Sequence, residues 1–385
     1  MKFFNLKKWA PYIVFILFCI GTITFALRNP AASTDMLFYT AIAREHSNSD
    51  IQTIHNESYQ MIFKRVNQSK TGSFQSKEQW VSGPQYHIDI YENIDSFQQQ
   101  FPFFKIRVLY TKLISVVSIT GLDLIKSSQL ISIVASTIAI GLLFFSLSGK
   151  IPNRRLYWLL IGTLAFGYIE VIERASPDSL ALLFMSVMTL FIIQNRFLIS
   201  LVFLPILVVV RTNLIILNAP YLAFIWIKYK KFRPYTILSG LISLISYFGI
   251  TKWAGHYGWA TLMYHTFINP ISFPKTTVFE FGISNYIPIL MEQLHSIFTY
   301  NTHLLIYTLM MSLIVWNYKD DIFKNKTAQI LIFTSIATII IHILLFPLIH
   351  VRLLSGFYIM GLTGVLIGLP HNQLNYSDLT HNKRQ

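Results

Sequence analysis

The chain has a single cysteine, Cys19, and little charge: 12% of its 385 residues are Asp, Glu, Lys or Arg, about half the roughly 25% of a soluble domain. One thiol excludes an internal disulfide framework and a thiolate metal cluster. No HExxH, no glycine-rich nucleotide loop and no GxSxG occurs, so zinc-protease, nucleotide-loop and serine-hydrolase readings have no anchor. Solenoid-length repeats and low-complexity tracts are absent too. Acids are scarce even among the charges, 17 against 31 basic residues, for a net charge of +14. Such a balance can mark nucleic-acid binding. Here the cations sit between apolar runs, so they read as topology signals and as binders of lipid headgroups or phosphates, with no nucleic-acid partner.

What the chain has in quantity is apolar sequence, 53% of the total, in long runs from residue 10 to residue 369. The expected fold is all-α: a polytopic transmembrane helical bundle of about ten spans. Their centres fall near residues 18, 137, 164, 186, 204, 220, 243, 310, 337 and 361. The spans near 204 and 220 are short and separated only by Arg211-Thr212-Asn213, which suits a tight hairpin or a re-entrant pair. Residues 1–27 read as an uncleaved signal anchor, because Ala10 to Leu27 exceeds the about 7–15 residues of a signal-peptide core. Residues 28–126 form a long extracytoplasmic loop, with Phe101 to Leu122 as an amphipathic helix on the membrane surface. Residues 127–370 hold the transmembrane bundle, which could include a second bundle after about residue 234. Residues 371–385 form a polar cytoplasmic tail.

Charge sets the orientation. With the N-terminus in the cytoplasm, the inner segments hold Lys2, Lys7, Lys8, Lys150, Arg154, Arg155, Arg196, the 228–233 cluster, Lys319, Lys324, Lys326, Lys383 and Arg384. The short outer connections hold mostly lone cations: Arg174, Arg211, Lys252, Lys275 and Arg352. That frame puts Asp35, Asp178, Arg211 and Arg352 on the outer side, in an inner (plasma) membrane of bacterial type.

Asp35 stands in Ser33-Thr34-Asp35-Met36-Leu37-Phe38-Tyr39, just past the first span. On a helix, Asp35, Tyr39 and Ala43 share one face. An ionisable group beside a span is a functional candidate; equally, Ser33, Thr34 or Asp35 could cap the helix. Asp178 follows Ser176-Pro177, which reads as an N-cap and first residue, and an acid there suits a helix start whether or not it also orients a substrate. Arg211, Arg352 and Arg107 either snorkel to headgroups or bind phosphate with their guanidinium forks. His87-x-Asp89 is a two-ligand fragment, and no metal site is expected from spacing.

Together these pieces resemble the C-type (GT-C) glycosyltransferases, integral membrane enzymes that take a sugar from a polyprenyl-phosphate carrier. Thr34-Asp35-Met36-x-x-Tyr39-x-x-x-Ala43-x-Glu45 is similar to their first outer loop. Phe101-Pro102-Phe103-Phe104-Lys105-Ile106-Arg107 resembles the arginine-bearing segment that leads on from it. Ser176-Pro177-Asp178-Ser179-Leu180-Ala181, Val210-Arg211-Thr212-Asn213 and His350-Val351-Arg352-Leu353 follow in the family's order. The resemblance implies that Asp35 is the general base, that Arg211, Arg352 and Arg107 meet the leaving phosphate, and that Asp178, Glu45 and Tyr39 contact substrate. It leaves a divalent ion open and implies no other cofactor. The implied partners are a polyprenyl-phosphate sugar, a glycan or lipid acceptor, and membrane lipids. Departures are the single acid in the first-loop motif, where an adjacent pair is usual, and the lack of a soluble domain. Two other readings stand beside it: a polysaccharide polymerase or ligase of the O-antigen type, whose large loop usually comes late, and a lipid-linked sugar transporter or flippase, which should carry ionisable residues near the bilayer midplane.

Overall fold

The computed structural model describes residues 6–29, 31–46, 50–66, 71–72 and 83–370. The expected cytoplasmic tail, and Lys2 with it, lies outside these residues. The described residues are all-α, apart from one two-residue parallel pairing of Ala31–Ala32 with Thr71–Gly72. All ten expected span centres fall within helices. Among the described residues, five helices are long and apolar enough to cross a membrane: Trp9–Arg28, Leu124–Leu147, Lys230–Trp253, Lys326–Leu345 and Val351–Gly368. A sixth candidate is the pair Ile283–Thr299 and Thr302–Asn317, bent by 73° at its break. Val108–Ser118, Asp178–Ile193, Phe197–Val210 and Thr212–Lys228 are apolar but only 10–17 residues long, below the roughly 20 needed for a straight crossing. The protein is therefore membrane-like in build, with several broken helices among its long ones.

Burial sorts the long helices. Val351–Gly368 is central, with 72% of its apolar window buried. Gly361, Gly364 and Gly368, spaced three and four apart, let the Lys326–Leu345 helix approach closely. The Lys230–Trp253 helix is peripheral, at 17%. It shows Leu238, Leu241 and Ile245 outward, which in a membrane is a lipid-facing stripe. The main core draws on helices before and after residue 234, with Leu304, Tyr307, Ile339 and Tyr358 packed in one cluster with Leu143, Leu207 and Tyr221.

A second, smaller core lies beneath the 31–106 region and includes Phe38, Ile54, Ile90, Phe97 and Phe101. The Thr34–Glu45 helix joins the two cores. Tyr39 and Ala43 face the main core, while Met36, Leu37, Phe38, Ala41 and Ile42 face the smaller one. Residues 36–43 are consequently buried on all sides, which fixes the helix rigidly. The segment after Trp253 closes over the same layer. Tyr257 donates to the Gln99 carbonyl at 2.9 Å, and Gln100 Nε2 donates to the Ser272 carbonyl at 2.9 Å.

The expected single surface helix over 101–122 is broken. Ile94–Lys105 and Val108–Ser118 are separate helices. Arg107, at φ −99° and ψ 54°, makes the break, and its Nη1 folds back to donate to the Phe103 carbonyl at 3.1 Å. A cation satisfying the last carbonyls of a helix is a C-terminal cap.

Candidate active site

Asp35 does not cap its helix, because Ser33 does. Ser33 is extended (φ −147°, ψ 158°), and its hydroxyl accepts from the Met36 N–H at 3.3 Å. Asp35 sits in the first turn, where the helix dipole favours an anion. Its carboxylate points across to the start of the Val351–Gly368 helix. Arg352 Nη2 donates to Asp35 Oδ2 at 3.0 Å. The other arm of the same guanidinium, Nη1, lies 3.4 Å from Asp178 Oδ2. Asp178 also takes a charge-assisted hydrogen bond from Arg211 Nη1. Asp35, Arg352, Asp178 and Arg211 thus form one continuous chain of opposite charges, drawn from helix ends far apart in sequence.

Two expectations about Asp178 change. Ser176 does not accept from the helix N–H groups as a cap; its hydroxyl donates to Asp178 Oδ2 at 3.1 Å. Asp178 is also far more buried than a capping acid needs to be, with 3% of its side chain exposed against 32% for Asp35. A carboxylate so enclosed needs the cations beside it.

Arg211 owes its position to a helix break. It is extended, at φ −155° and ψ 108°, between Phe197–Val210 and the short turn Thr212–Leu214. It is 8% exposed. Arg107 and Arg174 lie near enough for their charges to act on Asp35. The Nε atoms of Arg107, Arg174, Arg211 and Arg352 are all buried without a hydrogen-bond partner among the described residues. Arg44 and Arg65, away from the site, share that feature, so what marks the site is the convergence of four guanidiniums on two aspartates.

Burial pushes the Asp35 carboxyl up, but Arg352, by its charge and its hydrogen bond, with Arg107 and Arg174, holds it below its ordinary value of 3.8. Tyr39, one turn along the same face, is 4% exposed and packs edge-on against Phe104 and Tyr110. Burial raises its phenol, so it stays protonated. The structure does not bring Glu45 to this group. Ten residues on along a helix is about 15 Å, and Glu45 is held there by Lys105 at 2.7 Å. The cause is the length of the Thr34–Glu45 helix, which puts the two acids at its opposite ends, with Glu45 against Lys105 at the end of the Ile94–Lys105 helix.

Sequence reasoning noted Arg174 as a lone outer cation and did not place it, Glu170 or His350 in the site. Arg174 Nη2 is 4.0 Å from Glu170 Oε2, and His350 Nδ1 is 3.4 Å from the same oxygen. Burial, together with Arg352 and Arg174, pushes His350 down to about 3, so at neutral pH this last contact is not an ion pair. The i, i+4 spacing of Glu170 and Arg174 was the available signal. Among the described residues, no group of three or more His, Cys, Asp or Glu is placed to hold a metal. Asp89 of the His87-x-Asp89 fragment is engaged by Gln85 at 2.7 Å and Ser272 at 2.5 Å.

The opposite end of the Val351–Gly368 helix, about 24 Å away from Arg352, collects the cations expected on the other side. Arg155 donates to the carbonyls of Leu366 and Leu369 at 3.2 and 2.9 Å, and Lys150 reaches the Ile193 carbonyl at 3.5 Å. No family model, no curated protein and no solved structure matches this chain.

Proposed function

We propose that this protein is an integral membrane glycosyltransferase of the C type. It spans an inner membrane about ten times and moves a sugar from a polyprenyl-phosphate carrier to a glycan or lipid acceptor on the outer side. The observation that carries the reading is the Asp35–Arg352–Asp178–Arg211 chain. It gathers a partly exposed carboxylate and buried guanidiniums that the charge frame assigns to one side of the membrane.

The reaction asks for both. Asp35 takes the proton of the acceptor hydroxyl. The oxygen attacks the anomeric carbon, the bond from that carbon to the phosphate oxygen breaks, and the lipid phosphate leaves with the electron pair. The sugar is inverted. Arg211 and Arg352, with Arg107 behind them, meet the charge that grows on the departing phosphate. Arg352 has a double task. While it sits on Asp35, the carboxylate is a weak base, since a general base works best with a pKa near the operating pH. A donor phosphate that draws Arg352 away restores the basicity of Asp35 as the acceptor arrives. Asp178, held by Arg211 and Ser176, positions the two arginines.

The test uses the full chain in proteoliposomes with a panel of polyprenyl-phosphoryl sugars and measures release of polyprenyl phosphate. Asp35→Asn should keep the wild-type melting behaviour and lose about 10²–10⁴-fold in turnover. Unchanged turnover in a folded Asp35→Asn protein removes Asp35 as the base.

A further inference from the structure

Beside the charged chain lies a cavity of about 380 Å³ that the proposed reaction does not use. Gly167, Glu170, Tyr300, Thr302, His303 and Val351 are among the residues lining it. Three interruptions of helix meet there. Gly167, at φ +90°, separates Asn153–Ala165 from Tyr168–Glu173. Tyr300 and Asn301 mark the break of the bent pair, and Val351 opens the central helix. Non-helical backbone at membrane depth is tolerated where it lines a cavity, so the convergence of three breaks is itself a sign of a built space.

The cavity adjoins the site on both sides of Arg352. Val351 forms part of its wall, and Glu170, on another wall, is the residue that His350 and Arg174 approach. Its polar groups are not all spent. Glu170 Oε2, which Arg174 and His350 approach from one side, accepts no hydrogen bond among the described residues, while the His303 ring bonds the Ile349 backbone. His303 Nδ1 is 3.0 Å from the Tyr358 hydroxyl, which fixes the imidazole. Gly167 sets the cavity floor: a Cβ there would lie 2.7 Å from Val351 Cγ2 and push toward Arg352.

These features select a ligand. A carboxylate oxygen that accepts no hydrogen bond, beside an imidazole, disfavours a lipid tail. The volume is near the low end for small-molecule pockets, about 300–1,000 Å³, which suits one ring and not a nucleotide or an oligosaccharide. Tyr300, 69% exposed at the rim, offers an aromatic face. We infer that this cavity binds a single carbohydrate ring, with Glu170 accepting hydrogen bonds from its hydroxyls and Tyr300 offering its ring at the rim. Whether the ring belongs to the donor or to the acceptor rests on the glycosyltransferase reading; binding of a free sugar does not.

The experiment takes the full chain in mild detergent and a panel of neutral monosaccharides, read by saturation-transfer NMR. At least one sugar should bind, with a dissociation constant of about 1 mM. Glu170→Gln should weaken it about tenfold. Tyr300→Ala, a change at an exposed position, should weaken it as well and guards against a Glu170→Gln protein that fails to fold. If the intact polyprenyl-phosphoryl form of that sugar displaces it and bare polyprenyl phosphate does not, the ring is the donor's. If neither displaces it, the ring is the acceptor's. Asp35→Asn should bind the sugar normally. Sugar binding that depends on Glu170, without transfer from any lipid-linked sugar, would sink the proposed reaction and leave this site standing. No binding by any monosaccharide, or binding indifferent to both substitutions, overturns the inference.

Discussion

Arg352 is shared between two carboxylates of unequal burial, and that inequality sets what its loss should cost. The perturbation is a double-mutant cycle of Asp35→Asn with Arg352→Gln. The Asp35 side chain is 32% exposed, Arg352 16% and Asp178 3%. Breaking a fully buried pair costs about 3–5 kcal/mol, and an exposed pair is worth about 0.2–1. The Asp35–Arg352 pair lies between these limits, so a coupling of about 1–2 kcal/mol is expected. The single changes should be unequal. Asp35→Asn leaves Arg352 its contact with Asp178. Arg352→Gln strips a partner from both acids, although Asp178 keeps Arg211 and Ser176, and it should be the costlier of the two. The measurement is equilibrium denaturant titration of the four proteins in one detergent at pH 7. The pH matters because Asp35 is lowered in the folded chain. Its contribution is complete above the ordinary carboxylate value of 3.8 and is lost as pH falls through the lower folded value. Single effects that add to within about 0.3–0.5 kcal/mol would refute the pairing.

Gly361→Ala should cost about 1–3 kcal/mol, because a Cβ there falls on the Tyr307 hydroxyl and 2.7 Å from Ser335 Oγ, whose mutual hydrogen bond is 3.0 Å. Gly249→Ala, with nothing within 4 Å of the added carbon, should leave the melting temperature unchanged or raised, and the two are compared in one scan. His256 and His265 accept backbone hydrogen bonds through Nδ1, from Gly258 at 3.0 Å and Ile271 at 2.9 Å. Burial pushes both down to about 4. Between the ordinary value of 6.5 and about 4 the unfolded chain binds protons that the folded chain refuses, so stability should fall as pH is lowered through that window. A His256→Gln, His265→Gln protein should show a flatter acid limb. Glu45→Gln should change stability by under about 1 kcal/mol and leave transfer from a lipid-linked sugar intact, since its partner is Lys105 and not the charged chain.

Hydrophobic runs announced the long helices well, because about 20 apolar residues in a row have few other uses. They said little about where helices stop. The break at Arg211 was visible between two short runs, but the interruption at Gly167 falls inside one, and the bend at Tyr300 and Asn301 joins two helices that together read as one crossing. Each break is stabilised by contacts from other elements. Hydropathy, which averages over a window, has no access to those contacts. The same holds for Phe101 to Leu122: its spacing suits one continuous surface helix, and the cap formed by Arg107 on the Phe103 carbonyl ends it early.

The charged chain was legible as a set and not as a geometry. Alternating the sides of the spans was enough to assign Asp35, Asp178, Arg211 and Arg352 to one side, and their contacts in the folded chain agree with that assignment. What spacing left open was whether Asp35 and Asp178 were caps. The answer depended on hydroxyls: the Ser33 hydroxyl takes the Met36 N–H and releases Asp35, while the Ser176 hydroxyl turns to Asp178 and leaves the helix start uncapped. Identical residue types at the same local position therefore do opposite jobs, although a distant guanidinium holds the acid in both cases. For Asp35 that guanidinium lies 317 residues away, a distance over which periodicity and capping rules carry no information. Arg174 was left out of the site for the same reason. Seen along the chain it is a lone outer cation; seen in the fold it lies close enough to act on both Asp35 and Arg352, and its value to the site comes entirely from neighbours that the sequence puts elsewhere.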